Sequence, residues 1–387
     1  MLRTIDLRGR DLSTADLLDA VPRARAARAE ALSAAADIVA DVRERGEIAL
    51  REQAARFDGA EGHAIRVPAE HLADALERLD PRVRAALDEA IRRVRIASAA
   101  QVPAPRVTEL EPGARIEQRW QPVRRAGVYV PGGKAVYPPQ AEFDGRVHPD
   151  ILAAAALLGV TEVYAMGGAG AVAAYAYGVA SLGLEPVDVV TGPGNNFVAA
   201  AKRAVGGVVG TDSEAGATEI LIVADENADA TLAAVDLISQ AEHDEQASAV
   251  LVTWSEDLAT AVRAAVEERV DATRNGIRAR AALEGPQSAV VLVDDRAAAT
   301  AFSNAYAPEH LELHLEDPRP EDFVNAGAVF VGAHTPVSLG DYLAGSNHVL
   351  PTGGQARYAS GLSASTFLRP QQVIRYDREA LRAVERE

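Results

Sequence analysis

The chain has 387 residues, a formal net charge of −17, a sequence pI near 5.0 and no cysteine. This length predicts two or three folding units, and the acidic balance argues against a nucleic-acid-binding surface. A chain without cysteine has no disulfide, no thiolate metal site and no thiol nucleophile. No apolar run approaches the ~20 residues of a membrane span, and the first six residues lack the apolar segment of a signal peptide. We therefore expect a cytoplasmic enzyme that binds neither membranes nor nucleic acid.

Residues 11–100 predict an α-helical region, because they are rich in Ala, Arg, Leu and Glu. One helix is expected within residues 31–50, with Gly46 as its stop, and another from Pro81 to about Ser98. The following segment, 101–122, has the prolines and the Pro-Gly pair of a connector, with one strand expected at Ala114–Trp120.

A short apolar segment is followed by a glycine turn and a helical stretch three times between residues 123 and 205. The apolar segments are 128–130, 162–166 and 187–190. Such repetition predicts a parallel sheet with helices packed on it, and ligands are expected at the carboxyl ends of its strands. Further strands are predicted at residues 220–224, 249–253, 289–293 and 328–331. The sequence therefore predicts two α/β units, at 123–219 and 220–361.

The glycine-rich turn after residues 162–166 formally matches a dinucleotide-binding loop. Gly168-x-Gly170-x-x-Ala173 follows a predicted strand and opens a helix, where backbone N–H groups can approach a pyrophosphate. In a chain so rich in alanine and glycine this match is weak, and a tight strand-to-helix turn is the favoured interpretation. The sequence from Gly192 to Asn195 holds the same position in its unit, and its asparagine could orient a ribose or a carboxamide.

Five of the eight histidines lie between residues 240 and 350, beside carboxylates or amides. Imidazole is the commonest metal ligand and is suited to proton transfer near neutral pH, so we expect enzyme chemistry here. Gln240 and His243 share one helical face, either as part of a site or as a cap and a surface histidine. Asp341 and His348 flank a glycine-containing loop, which either carries function or only turns.

Glu309 and His310 stand at the entrance of a run over residues 311–316 in which apolar and polar residues alternate. The alternation predicts a half-exposed strand, with His314 solvated and without function. Side chains at the entrance of a strand can both reach a cleft, so Glu309 and His310 are either a catalytic pair or chance neighbours.

Ordered blocks between residues 3 and 375 resemble those of the histidinol dehydrogenase family. They are VYVPGG (128–133), GPGN (192–195), SQAEH (239–243), YAPEHL (306–311), GDY (340–342), NHVLPT (347–352) and SGL (360–362). The resemblance implies two Rossmann-like parallel-sheet domains with a helical N-terminal region and a short C-terminal extension. The expected division is an N-terminal arm at 1–20, a catalytic and metal domain at 21–122 with 220–361, an NAD domain at 123–219 and a tail at 362–387.

That family oxidises L-histidinol to L-histidine in two NAD-dependent steps through histidinal, as a zinc-dependent homodimer. The resemblance implies the same substrate, NAD and Zn²⁺ as cofactors, and a homodimer. The implied catalytic pair is Glu309 and His310, and the implied cofactor-binding residues are Tyr129 and Asn195. The implied metal ligands are Gln240, His243 and Asp341. The implied substrate-binding residues are Thr218, Gln240, His243, His310, Asp341 and His348.

The absence of cysteine bears on the implied second step. Many aldehyde oxidations pass through a thiohemiacetal, which this chain cannot form. The aldehyde must instead be hydrated, so Glu309 is expected to activate water and His310 to take the alcohol proton.

The chain departs from the family pattern in three places. Pro138 joins Pro139 where the family has a further helix and strand, and Gly170 replaces a cofactor-contacting glutamine. The tail lacks the family's substrate-contacting glutamate and its fourth zinc ligand, a histidine. Three functions therefore remain open: a working histidinol dehydrogenase, a non-catalytic homologue that acts as a binding or dimerising body, and a paralogue that oxidises another small alcohol.

Overall fold

The computed structural model describes residues 2–23, 28–130, 145–213 and 216–385. Its largest element is a six-stranded sheet in which every strand pairs in parallel with its neighbours. In spatial order the strands, numbered along the chain, are β1 (Arg3–Asp6), β9 (Ala289–Leu292), β8 (Ser248–Thr253), β7 (Glu219–Ala224), β10 (His310–His314) and β11 (Ala328–Val331). The predicted strands of the second half are thereby confirmed, and so is the α/β class.

Helices cover both faces of this sheet, which is why its central strands are apolar on both sides. Ile220 and Ile222 lie in one core and Leu221 and Val223 in the other, as the alternation of a strand requires. The first core is shared with α9 (Ala230–Ala241), α10 (Glu256–Arg269), α11 (Gly276–Glu284) and α13 (Val337–Tyr342), and the second with α1 (Thr14–Ala20) and α12 (Arg296–Tyr306). Within the described residues, no helix is long and apolar enough to cross a membrane.

A second, smaller parallel sheet is built from β4 (Ala126–Val128), β5 (Val189–Thr191) and β6 (Gly210–Thr211). Two helices, α7 (Gly168–Tyr177) and α8 (Asn196–Ala204), follow its strands and contribute to a separate core. The predicted strand–glycine–helix pattern is complete at β5, Gly192 and α8.

The N-terminal helices pack mainly on this smaller unit. Residue Gly46 (φ 56°) separates α2 (Arg28–Arg45) from α3 (Glu47–Gln53), as its predicted role as a stop requires. The apolar side chains of α2, among them Val39 and Val42, share a core with α7 and α8. The helices of the smaller unit thus cover the apolar face of α2, and the expected assignment of residues 21–122 to the catalytic domain stays a prediction.

The remaining N-terminal elements are α4 (Ala69–Arg78), which packs on α6 (Pro149–Leu157), and the long helix α5 (Pro81–Ala100). An antiparallel sheet follows, formed by β2 (Arg106–Glu111), β3 (Ala114–Pro122) and β12 (Leu368–Tyr376), and the chain continues into α14 (Arg378–Val384). The helix expected from Pro81 and the strand expected within 101–122 are both confirmed.

The strand predicted at residues 162–166 does not form part of the parallel sheet. Instead, Ala165 donates its N–H to Ile65 and Val163 accepts one from Val67, which leaves only an isolated antiparallel bridge. The predicted glycine turn at 131–133 and the junction of residues 138 and 139 lie outside the described residues.

Candidate active site

The predicted catalytic pair lies where α12 turns into β10. Ala307 ends the helix with a φ of 49°, an uncommon conformation for a residue with a side chain, and Pro308 follows it. The turn brings Glu309 and His310 to the amino end of β10, beside the amino end of β7. The carboxyl-end location expected for ligands therefore does not hold for this pair.

Glu309 is buried, and two hydrogen bonds fix one of its carboxylate oxygens. The hydroxyl of Thr218 donates to Oε2 over 2.6 Å, and the backbone N–H of Glu219 donates to the same atom over 2.9 Å. Gln240, at the end of α9, donates its amide N–H to the Thr218 hydroxyl. Three side chains from three segments thus form one chain that ends on the carboxylate, and the carbonyl oxygen of Gln240 takes no part in it.

The imidazole of His310 is held from one side and open on the other. Its Nδ1 lies 3.1 Å from the carbonyl oxygen of Glu219, an acceptor, so Nδ1 carries a proton. Its buried Nε2 has no hydrogen-bond partner among the described residues and lies 3.6 Å from Oδ1 of Asp341. Burial alone lowers the pKa of His310, but the nearby charges of Glu309 and Asp341 and the hydrogen bond to the Glu219 carbonyl outweigh it and raise this pKa to about 9.

Glu219 is a site residue that the sequence analysis did not identify. Its backbone N–H and carbonyl hold Glu309 and His310, while its buried carboxylate pairs with Nε of Arg23 at 2.7 Å and accepts the N–H of Gly353. Burial raises the pKa of Glu219 to about 7, although Arg23 opposes the shift. The available sequence signal was a glutamate directly after Thr218 at the start of a strand that is otherwise apolar.

Two of the three predicted metal ligands lie beside the catalytic pair, and the third is exposed. Gln240 is buried against Thr218, and Asp341 lies beside His310, so the structure brings both to the catalytic pair. His243 follows the end of α9 with its side chain exposed, and the side chain of His348 is exposed as well. An amide oxygen, an imidazole and a carboxylate form a donor set that suits zinc, and the unpartnered Nε2 of His310 faces the same region.

The predicted cofactor residues follow the carboxyl ends of β4 and β5 in the smaller unit. The hydroxyl of Tyr129 accepts the N–H of Gly168 at the start of α7. The side-chain oxygen of Asn195 accepts the N–H groups of Phe197 and Val198, so it caps α8. The structure thus gives each predicted cofactor residue a structural contact of its own.

The loop before Asn195 is fixed by a buried ion pair. Lys202 binds the carboxylate of Asp212 and also donates to the carbonyl oxygen of Gly192 over 2.5 Å. Asp212 in turn accepts the N–H of Gly192 over 2.7 Å. Gly170, in contrast, faces Gln53 so closely that a Cβ would lie 2.2 Å from the Gln53 amide oxygen. Glycine at this position therefore leaves room within α7 for the Gln53 side chain of α3.

The prediction that His314 is solvated is wrong. The side chain is 4% exposed and its Nε2 lies 3.2 Å from Oε2 of Glu312, which is fully buried. The reason is that β10 is a central strand, covered on both faces, so the alternation records a buried polar face rather than an exposed one.

Comparisons with known proteins identify the family. The model of the family "Histidinol dehydrogenase" matches residues 21–142 and 138–387. A histidinol dehydrogenase from Leifsonia xyli subsp. xyli is 59% identical over 99% of this chain and 94% of its own length, and one from Corynebacterium glutamicum is 50% identical over 99% and 92%. The crystal structure of histidinol dehydrogenase from Elizabethkingia anophelis superposes with a TM-score of 0.89 at 27% identity, covering 99% of this chain and 92% of that one.

The alignments also bear on the shortened segment. The two matched ranges overlap at residues 138–142, and the alignment with the Leifsonia protein is 408 positions long for a chain of 387 residues. The relatives therefore carry residues for which this chain has no counterpart, in agreement with the shortening expected near residues 138 and 139. With both the sequence and the fold matched over nearly the whole chain, the protein is an oxidoreductase that belongs to the histidinol dehydrogenase family.

Proposed function

We propose that this chain oxidises L-histidinol to L-histidine in two NAD-dependent steps through histidinal. The observation that carries the proposal is the arrangement of two adjacent buried bases, each held separately. Glu309 is fixed by Thr218 and the N–H of Glu219, and His310 by the carbonyl oxygen of Glu219. One strand entrance thus offers two proton acceptors, one for each oxidation.

His310 is assigned to the first step, because its Nε2 has no hydrogen-bond partner among the described residues and, in the neutral imidazole, can accept the proton of the alcohol. The neutral fraction grows as the pH approaches the pKa of about 9, so this step should be favoured at alkaline pH. Glu309 is assigned to the second step. Both of its hydrogen bonds use Oε2, which leaves Oε1 to take a proton from the water that hydrates the aldehyde. No cysteine is present to form a thiohemiacetal.

Gln240, His243 and Asp341 would hold zinc, through the free amide oxygen, the exposed imidazole and the carboxylate beside His310. When bound there, zinc would fix the imidazole and amine nitrogens of the substrate. Thr218 and His348 would complete the substrate site, with Thr218 also positioning Glu309. NAD, the hydride acceptor of both steps, would bind at the carboxyl ends of the smaller sheet, beside Tyr129 and Asn195.

A homodimer is part of the proposal, and an uncovered apolar surface supports it. Helix α5 has no buried residue over its 20 positions, and every residue of β2 is exposed. Exposed large apolar side chains are concentrated in these elements and their neighbours, at Val83, Val94, Ile96, Val107, Leu110, Ile374, Tyr376, Leu381 and Val384. Such a surface is typical of one that a second subunit covers. A cytoplasmic location is also proposed.

The test is NADH formation from histidinol and, separately, from histidinal, with and without added zinc. NADH from both substrates supports the proposal. NADH from neither, with a folded dimer, favours the non-catalytic homologue. Oxidation of another small amino alcohol in preference to histidinol favours the paralogue.

A further inference from the structure

A second cluster of ionisable side chains lies next to the site described above, further along the same face of β10. Side chains two residues apart on a strand point the same way, so His310, Glu312 and His314 share one face. Helix α9 covers this face and contributes Asp236, one turn before Gln240. The cluster of Asp236, Glu312 and His314 therefore lies beside the catalytic pair, one helical turn back along α9 and further along β10.

The three side chains converge on one point. One ligand atom from each lies within 4.8 Å of the other two. Nε2 of His314 is 3.2 Å from Oε2 of Glu312, yet this oxygen is buried and has no hydrogen-bond partner among the described residues. The two atoms are potential metal ligands, close enough to be bridged by a metal ion or by a proton. The other oxygen of Glu312 is occupied, because it accepts the N–H of Val337 over 2.9 Å.

The cluster holds more acidic than basic groups. Asp236 and Glu312 are two carboxylates, and the imidazole of His314, 3.2 Å from Glu312, is the one group of the cluster that can carry positive charge. A buried, unpaired carboxylate costs several kcal/mol, so positive charge must enter as protons or as a cation. Burial and the charge of Glu312 raise the pKa of Asp236 above its ordinary value, which reflects the same imbalance. One divalent cation would neutralise both carboxylates and leave the imidazole neutral.

We propose that Asp236, Glu312 and His314 form a second, structural site for a divalent transition-metal ion such as zinc. One imidazole nitrogen and two carboxylate oxygens form a ligand set of intermediate hardness, which suits zinc or manganese. With ligand bonds of about 2.0–2.2 Å, tetrahedral neighbours stand roughly 3.4 Å apart, close to the His314–Glu312 separation.

The site would tie three elements together. Asp236 belongs to α9, Glu312 and His314 to β10, and Glu312 also holds the first turn of α13 through Val337. Gln240 and Asp341, two proposed ligands of the catalytic zinc, lie one turn later on these same helices, α9 and α13. A metal bound by Asp236, Glu312 and His314 (the inner metal) would therefore stabilise the helices that carry these ligands of the catalytic zinc (the outer metal).

Metal content measured on the full-length protein tests the proposal. Protein stripped with a chelator, reloaded with zinc and dialysed would be analysed by native mass spectrometry, for the wild type, His314→Gln, Glu312→Gln and His243→Ala. We expect two zinc ions per wild-type chain. His314→Gln and Glu312→Gln should each lose the inner ion, and His243→Ala should lose only the outer one. Circular dichroism and gel filtration would show that each variant folds.

Cobalt titration gives a second measurement of the number of metal sites, in the wild type first and then in the variants. Two equivalents with distinct visible absorption spectra support the inner site, and His314→Gln should remove one of the two spectra. Wild-type protein that binds a single equivalent, which His243→Ala removes and His314→Gln retains, would overturn the proposal and show that protons neutralise the cluster. If the proposed catalytic zinc site binds no metal, the protein should still bind one ion, and His314→Gln should remove it. Failure of the proposed function and failure of the second metal site therefore give different results.

Discussion

The Thr218 hydroxyl donates a 2.6 Å hydrogen bond to the carboxylate of Glu309, 91 positions along the chain. The two residues lie at the amino ends of adjacent strands, β7 and β10, so the bond joins two neighbouring interior strands of the larger sheet. Gln240 donates to the same hydroxyl from the end of α9. A proposed metal ligand and a proposed base are therefore linked through one threonine.

The two bases should be separable by mutation. His310→Ala should slow histidinol oxidation, and Glu309→Ala should mainly slow histidinal oxidation, each by about 10²–10⁴-fold, the usual effect of removing a general acid or base. Stopped-flow NADH formation from each substrate would measure the two steps. His334→Ala and Glu316→Ala, at exposed positions, serve as matched controls. Wild-type rates with both substrates in either active-site variant would refute the assignment of roles.

Thr218→Val should impair the second step, because valine keeps the shape of threonine but cannot donate to Glu309. Hydrogen bonds to charged groups contribute about 1.5–3 kcal/mol, so the loss should be roughly ten- to a hundredfold in kcat for histidinal. Thr218→Ser retains the hydroxyl and should remain close to the wild type. Equal activity of the valine and serine variants would show that the hydroxyl does not position the carboxylate.

Asn195 allows a cap to be distinguished from a cofactor contact. Asn195→Ala should lose about 1 kcal/mol of unfolding free energy, because the start of α8 loses its acceptor, and should also weaken NAD binding. Asp is an equally good cap, so Asn195→Asp should keep the stability but repel the cofactor phosphates. Urea unfolding and calorimetric NAD titration measure the two effects. Unchanged NAD affinity in the aspartate variant would restrict Asn195 to capping.

Glu219 should leave a signature in the pH dependence of stability. Its pKa in the folded chain is about 7, above the ordinary value of 4.5, so the folded state binds its proton more tightly than the unfolded state does. The contribution to unfolding free energy, on the order of 3 kcal/mol, is present below about pH 4.5 and is lost as the pH rises to 7.

Urea unfolding at pH 5, 6, 7 and 8 would measure this dependence. Glu219→Gln should flatten it between pH 5 and 7, although the variant leaves Arg23 unpaired and is less stable throughout. Glu316→Gln, at an exposed carboxylate, is the control. The same slope in Glu219→Gln and the wild type would assign the pH dependence to other groups.

Local sequence patterns predicted much of the architecture. Residues 220–224 and 249–253 are apolar at every position or nearly so, and only a parallel strand covered on both faces buries such a run. Gly46 and Pro81 marked a helix stop and a helix start for steric reasons that act within a few residues. The short blocks around Gln240, Glu309 and Asp341 were distinctive enough to indicate the family, which the comparisons confirm.

Tertiary packing decided what local patterns could not. The alternation of residues 311–316 is the same for a half-exposed strand and for a central strand with a buried polar face, and only the neighbours of β10 make His314 and Glu312 interior. The role of Glu219 arises because Arg23 and Gly353, distant in sequence, meet its carboxylate. Hydrophobic periodicity determines which face of a strand or helix is apolar, whereas the burial of its polar face and the partners of a buried charge depend on which strands and helices lie beside it.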